Sequence, residues 1–462
     1  MAAKTKVDVL IENGTVVTVD PERRVIRNGA VAITRNRIKD VGKASALKKK
    51  YEAKRTYDAA MKLVTPGLIN AHIHFYHHMH RGLSPETLAG MPWSDFVHRK
   101  VATIVNAEDE IWGGLGILVE TLKTGVTTFL EAGSYNPGPV IEGVSRIGMR
   151  GLMGRRSFDM VSQGHNMLVE STRKCLNENE KFMKDYRGGV GLVKPCVVVV
   201  GMGRCSDRLY VKSKEMADEY RTILHMHQAN MIENVQESLS LNGARPIEHL
   251  YNIGALGKNV ALTHMIHVSA KEIELLAKTR TNVLHCPSTA MKISYGLSAF
   301  GKFPEMMEAG VNVAIGTDAS DCSNFNDMVR LIYLAAATPK DYRYDPSAGS
   351  AEKAIEMATI NAARAMNMER EIGSIEPGKK ADIAIFDMKR PDWVPLYNEI
   401  QNFVYSAQGN SCESVMVDGK FLMENREVKS VDEAEIVERI GRLAKGVLKR
   451  SKVPLYSPWK FV

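Results

Sequence analysis

Pro66-Gly67-Leu68-Ile69-Asn70-Ala71-His72-Ile73-His74 is an apolar run that ends in two histidines. The same design recurs along the chain. Thr222-Ile223-Leu224 leads into His225-Met226-His227, and Val260-Ala261-Leu262-Thr263 into His264. Val283-Leu284 leads into His285, and Val313-Ala314-Ile315-Gly316-Thr317 into Asp318. Helical segments separate these runs, and strand–helix alternation implies a parallel sheet covered by helices. Sustained over about 300 residues, it predicts a (β/α)₈ barrel of the TIM type. In such a barrel all strand C-termini open on one rim, where active sites are built. A lone His-x-His is commonly structural, but several strands delivering imidazole or carboxylate to one rim point to a metal site.

The spacing has a simple cause. Side chains two apart on a strand share a face, so His72 and His74 address one point. Imidazoles combined with a carboxylate suit Zn²⁺, with Co²⁺, Fe²⁺ and Mn²⁺ as alternatives. One divalent metal per subunit is expected.

Outward from this run, the intervening helices carry start and stop signals. Asn106 caps a helix whose Ile111, Leu115, Leu118, Val119 and Leu122 share a face, and Gly125 ends it. Ser269 with Glu272 forms a capping box. Phe303 to Ala309 stops at Gly310, before the strand 311–315. Before residue 60 the texture is different: short alternating strands, with Asn13-Gly14 and Asn28-Gly29 as turns. Similar strands return at 381–386 and 414–419, followed by an amphipathic helix from Asp432 to Lys449. The expected architecture is α/β. Residues 63–377 form the barrel, 1–62 and 378–430 jointly form a small β-sandwich domain, and 431–462 form a terminal helix and tail.

Composition narrows the function classes. The net charge of +8 comes from scattered basic residues, the densest run being Lys48-Lys49-Lys50, which reads as solvated surface rather than a nucleic-acid groove. No apolar run approaches membrane-spanning length, and the N-terminus lacks a signal-peptide core. The six cysteines include no CxxC pair and read as reduced, mostly buried thiols. A cytoplasmic homo-oligomer acting on a small molecule is expected. Phe75, Tyr76, Trp93, Phe158 and Tyr295 are candidates for an aromatic pocket. His77, His78, His80 and His98 are expected on the surface or the pocket wall, and His267 in a supporting place. His165 and His249 are assigned no role.

Taken together, these motifs resemble the amidohydrolase superfamily, specifically its cytosine deaminase and triazine hydrolase branch. The first metal motif is 66–74, followed by Arg81-Gly82-Leu83 and Trp93. Leu224-His225-Met226-His227, Thr263-His264, His285-Cys286-Pro287-Ser288 and Gly316-Thr317-Asp318 match the later motifs. Ala358 to Ala363 and Gly373 to Asp382 match the closing segments. The resemblance implies that His72, His74, His227 and Asp318 bind one metal and that His264 polarises the substrate. It also implies substrate contacts from His225 and Ser288. Two-metal relatives carry a bridging lysine at the end of the fourth strand, whereas Lys194 lies at the opposite end.

One departure shapes the expected chemistry. Deaminases of this branch place a glutamate three residues after the third histidine ligand. Counting from His227 gives Asn230; counting from His225 gives Gln228. An amide positions a substrate but carries no proton at neutral pH. The expected reaction is therefore hydrolysis of a C–N or C–S bond in a urea-, carbamate- or amide-like molecule, in likeness to phenylurea and thiocarbamate (molinate) hydrolases. In that scheme Asp318 makes both proton transfers, His264 and His285 stabilise the oxyanion, and Asn230 hydrogen-bonds the substrate. The alternatives are a deaminase of an aminated triazine, purine or pyrimidine, and a non-catalytic scaffold. The scaffold reading is disfavoured because none of the ligand-type residues is missing.

Overall fold

The computed structural model describes residues 3–84, 97–162, 168–457 and 459–460. Trp93 and His165 lie outside them. The N-terminal strands are β1 (Thr5–Val17), β2 (Val25–Thr34), β3 (Arg37–Lys43), β4 (Tyr51–Asp58) and β5 (Lys62–Pro66). The barrel strands are β6 (Leu68–His74), β7 (Val126–Glu131), β8 (Arg150–Met153), β9 (Val193–Pro195), β10 (Val197–Gly201), β11 (Leu224–Gln228), β12 (Val260–His264), β13 (Asn282–His285), β14 (Val313–Ile315) and β15 (Asp318–Ala319). The chain ends with β16 (Ile383–Asp387), β17 (Cys412–Val417), β18 (Lys420–Glu424), β19 (Glu427–Val428) and a helix, Glu433–Ser451.

Two five-stranded parallel sheets, β15-β6-β7-β8-β9 and β10-β11-β12-β13-β14, make up the barrel. β9 and β10 are one run interrupted at Cys196, and β14 and β15 one run interrupted at Gly316-Thr317. The described residues therefore form eight barrel strands, in agreement with the expected (β/α)₈ fold. Small and branched side chains fill the lower barrel: Ile69, Ala71, Leu130, Leu152, Val198, Ala261, Leu284 and Ala314 form one core with Ala362 and Ala363. The helix Ala107–Leu122 begins at the Asn106–Asp109 capping box, and Ala270–Thr279 at the Ser269–Glu272 box.

Both chain ends contribute to one nine-stranded sheet, ordered β19-β18-β17-β16-β5-β1-β2-β3 with β4 on β1. Ile38 from β3 and Met416 from β17 share a core, so the sheet curls over itself. Here one local expectation fails. Asn13-Gly14 and Asn28-Gly29 are not turns; they lie inside β1 and β2, with Gly14 opposite Gly29 at a register shift. Asn13 takes φ 65° and its Nδ2 donates to Asp58 at 2.8 Å, so a turn-type residue serves a bulge in a continuous strand.

The six cysteines are all buried and unbridged. Among the described residues, no helix is long and apolar enough to cross a membrane.

Arg150, at the start of β8, couples barrel and sheet. Its Nε donates to Asp382 at 2.8 Å and its Nη2 to Asp418 at 3.1 Å, with its side chain 11% exposed. Removing one member of such a pair strands the other charges. We expect Arg150→Met to lose roughly 3–5 kcal/mol in urea unfolding; a loss below about 1 kcal/mol, the scale of a surface pair, would show that the contact is marginal.

Candidate active site

The strand ends converge as the motif spacing requires. His72 and His74 leave β6 on the same face, His227 leaves β11, and Asp318 opens β15. His72 Nε2 lies 3.3 Å and His74 Nε2 3.5 Å from Asp318 Oδ1, and His227 Nε2 lies 3.3 Å from His74 Nε2. Four ligands placed tetrahedrally at 2.0–2.1 Å from a zinc ion stand about 3.3 Å apart. These three separations are of that size, and His72, His227 and His264, like His72, Cys286 and Asp318, offer ligand atoms within 4.8 Å of one another. Consistent with this, His72 Nε2 is buried and accepts or donates no hydrogen bond. The four residues are 0–4% exposed.

The opposite edges of two of these rings are pinned, while His74 Nδ1 has no hydrogen-bond partner. His227 Nδ1 donates to the Val200 carbonyl at 2.9 Å, which leaves Nε2 as the free lone pair. His72 Nδ1 faces His225 Nε2 at 3.0 Å and Thr263 Oγ1 at 3.1 Å. Asn70 Nδ2 donates to Thr317 Oγ1 at 2.7 Å and Asn70 Oδ1 accepts from Thr317 N at 3.0 Å, locking β6 to the segment that carries Asp318. Asp318 itself sits at φ 64° and His264 at φ 79°, backbone conformations that tend to persist where surrounding contacts hold them.

Burial sets the charge state. It would raise the Asp318 carboxyl, but contact with His72 and the field of His264 hold it well below the ordinary range. Burial lowers His264 to about 4 and, with the help of His264, lowers His285 to about 3. At neutral pH the cavity thus holds an ionised Asp318 beside neutral His264 and His285.

The remaining expected residues divide into several groups. His264 lies with its ring 5.5 Å from that of His227 and 5.9 Å from that of His72. Its Nδ1 is unpartnered. His285 stacks on Phe303 at 3.6 Å, also with Nδ1 unpartnered. Asn230 is 6% exposed, its Oδ1 lacks a partner, and its side chain meets the Tyr295 hydroxyl. Ser288 is buried in the first turn of Pro287–Lys292 with Oγ unpartnered. Tyr76 sets its ring edge-on to His74 at 6.1 Å. Phe158 is buried in the main core.

Two expectations are corrected. Phe75 does not line the pocket. Alternation after His74 turns it into the helix layer, where it meets Phe129 at 5.4 Å and lies beneath Gly114. His225 faces the same way as His227 but two residues deeper, so it props His72 from behind at 0% exposure. This also decides the register in favour of His227 and Asn230. Glu233 is exposed on its helix, and Lys194 is exposed on β9.

Sequence reasoning missed a second cluster. His77 Nδ1 lies 2.7 Å from Asp321 Oδ1, His80 Nδ1 lies 3.0 Å from Asp321 Oδ2, and His98 stacks on His77 at 4.9 Å. These three histidines are buried, not surface residues; His78 is half-buried, with Nδ1 3.3 Å from Ser320 Oγ. The available signal was the His-x-x-His spacing on one turn and an aspartate three residues beyond Asp318. His267 supports Tyr295 through its carbonyl at 2.8 Å, and His249 pairs with Asp207 at 2.7 Å.

A pH consequence follows from His285. Its imidazole stays neutral in the fold down to about 3, whereas the unfolded chain takes the proton near 6.5. Its contribution to stability is complete above 6.5 and declines as pH falls toward 3. We expect the thermal midpoint to fall on acidification from pH 7.5 to 5, and less steeply in His285→Gln; equal slopes would contradict this.

Comparison with known proteins agrees with this geometry. The amidohydrolase family pattern matches residues 63–422. A 5-methylthioadenosine/S-adenosylhomocysteine deaminase of Syntrophobacter fumaroxidans is 32% identical over 444 residues, covering 96% of this chain and 99% of its own. An adenosine deaminase from Xanthomonas campestris, solved with bound zinc, superposes with a TM-score of 0.88 at 25% identity, covering 98% of this chain and 100% of its own. Atrazine chlorohydrolase from Arthrobacter aurescens TC1, complexed with zinc, shares the fold with a TM-score of 0.86 at 23% identity, covering 94% of this chain and 100% of its own. The amidohydrolase superfamily expected from the motifs is thereby shown. The relatives favour the deaminase alternative over the urea and carbamate reading. The chain belongs to the amidohydrolase family and is a metal-dependent hydrolase acting on carbon–nitrogen bonds.

Proposed function

We propose that the chain is a single-metal deaminase of an aminated heterocycle, with a 6-aminopurine nucleoside as the first candidate substrate. The observation that carries this reading is the approach of His72 (3.3 Å) and His74 (3.5 Å) to Asp318 and of His227 to His74 (3.3 Å). The names of the similar proteins, an adenosine deaminase and a methylthioadenosine/adenosylhomocysteine deaminase, supply the substrate class.

His72, His74, His227 and Asp318 would hold the ion, with zinc the first choice for this donor set. A divalent ion bound there supplies a water acidified toward neutrality and a Lewis acid for the substrate. Asp318, kept ionised, would take a proton from the attacking water and pass it to the departing amine, so that water and amine become hydroxyl and ammonia. His264, neutral at pH 7, would hydrogen-bond the attacking oxygen and hold it against the ring carbon, with His285 beside it. Asn230 hydrogen-bonds the ring, Ser288 offers a further hydroxyl, and Tyr76 forms a wall.

Asn230 favours a second reading, hydrolysis of a urea-, carbamate- or amide-like bond, where only the departing atom needs a proton. A substrate panel separates the two. Ammonia release from adenosine-type nucleosides without hydrolysis of arylureas or thiocarbamates supports the first; the converse supports the second.

Metal dependence is tested on the same sample. Prolonged chelation should remove activity and Zn²⁺ or Co²⁺ should restore it, with one metal per subunit by elemental analysis. Full activity in metal-free protein would refute the proposal. Asp318→Asn should lower kcat by at least about 10³-fold; a near-wild-type rate with metal retained would remove Asp318 from the proton path.

A further inference from the structure

Two residues past His74 the chain makes one 3₁₀ turn, Tyr76–His80, and three residues past Asp318 it places a second aspartate, Asp321. The loops that follow β6 and β15 therefore meet again beyond the His72 cluster. Residues three apart eclipse in a 3₁₀ helix, so His77 and His80 share a side. Both face Asp321: His77 Nδ1 lies 2.7 Å from Oδ1 and His80 Nδ1 3.0 Å from Oδ2. The three side chains are 0–5% exposed. One ligand atom from each falls within 4.8 Å of the others. His98 lies flat on His77, with ring planes 16° apart, and fixes that ring's orientation.

The trio has a charge to balance. Among the described residues, no lysine or arginine nitrogen comes within 4.0 Å of the Asp321 carboxylate, whose ion-pair contacts are the two imidazoles. Ser84 Oγ donates to Oδ2 at 3.3 Å. Lys292 Nζ is spent elsewhere, on the Asp321 carbonyl at 2.9 Å and on Asn324. A carboxylate buried without a cation is costly. His80 adds a second deficit, because its Nε2 is buried and has no hydrogen-bond partner. Hydrogen bonds within a neutral-imidazole trio leave both deficits in place. A cation held by the carboxylate and by imidazole lone pairs removes the first and can take up the second. Two imidazoles with one carboxylate suit Zn²⁺, Co²⁺, Fe²⁺ or Mn²⁺. An imidazolium would balance the charge as well, and a metal count tells the two apart.

We propose that His77, His80 and Asp321 bind a second divalent transition-metal ion, which staples the loop after β6 to the loop after β15. The one ion counted for the reaction belongs to the His72 cluster. Three protein ligands in place of four, and a dication nearby, make the second site the weaker one. It fills at equilibrium with free metal and empties on desalting. The inference stands on these three side chains and is independent of the deaminase reading.

The test counts zinc. Desalted wild type, Asp321→Asn and His80→Gln are dialysed to equilibrium against the same series of free Zn²⁺ concentrations, and bound zinc is measured by elemental analysis. We expect wild type to hold one more zinc per subunit than either variant, and added Zn²⁺ to raise its thermal midpoint but not theirs. His227→Gln, which damages the His72 cluster, should keep the zinc that Asp321→Asn removes. A wild-type count of one at saturating Zn²⁺ overturns the proposal and leaves a hydrogen-bonded trio. Equal counts above one in wild type and a folded variant also overturn it, as adventitious zinc only. Loss of the extra zinc in His227→Gln overturns it too, since one cluster would then account for both ions. If neither Asp321→Asn nor His80→Gln folds, wild type and His227→Gln still decide: two zincs with a raised midpoint in the first, and one zinc with a raised midpoint in the second, support the staple, and any lower count refutes it.

Discussion

Closure of the barrel between its last and first strands is the contact on which the site depends. Gly316 passes so close to β6 that a Cβ would stand 2.5 Å from the His72 backbone nitrogen. Only glycine permits that approach. The Asn70–Thr317 pair then fixes the register, and β15 pairs Asp318 with Ile73 and Ala319 with His74. Without this seam the carboxylate and the two β6 imidazoles would belong to opposite edges of an open sheet. With it they stand at the separation that one ion imposes. The interior beneath is filled by alanine, valine and leucine, so the rim is held from below by packing rather than by further polar contacts.

The electrostatics follow from the same enclosure. Burial lowers His74, His227, His264 and His285 and so keeps them neutral, and a neutral imidazole is the form that binds a metal. The carboxylates behave differently according to their neighbours. Asp318 and Asp321 are each surrounded by histidines and stay ionised. Glu131, beside Glu110 and without a comparable shell, is driven toward its neutral form. The two aspartates also differ in geometry. Donors around Asp318 keep 3.3–3.5 Å, whereas His77 meets Asp321 at 2.7 Å. His77, His80 and Asp321 nevertheless offer ligand atoms within 4.8 Å of one another, as the His72 groups do.

What could be read in the sequence was periodic or terminal. Strand-end histidines, capping boxes and the αL glycines at 125 and 310 are local signals, and the barrel followed from their repetition. Contacts between distant segments were not legible. His225 and His227 look equivalent in a strand, and only the depth of β11 against β6 shows that one props His72 while the other joins the cluster. Asn13-Gly14 carries a hairpin signature, yet pairing with Gly29 converts it into a bulge. Arg155-Arg156 reads as surface charge. That Arg156 is buried depends on Gly133 one strand away and on two tyrosines from other loops, which no spacing rule connects.

Asn230 is where the chemistry of this chain is most constrained. The relatives favour an aminated ring, while an amide stands where the branch places a proton-carrying glutamate. These are compatible once recognition and transfer are separated. An asparagine presents an acceptor and a donor, and its orientation follows whichever partner it meets. Oδ1 is left unpartnered, so it can receive an N–H, and a flipped amide can donate to a bare ring nitrogen. Neither orientation moves a proton. On the proposed reading all transfer would fall to Asp318, and the ring nitrogen facing Asn230 would take its proton from solvent. Such a site would favour substrates whose ring nitrogen is already protonated or needs no proton.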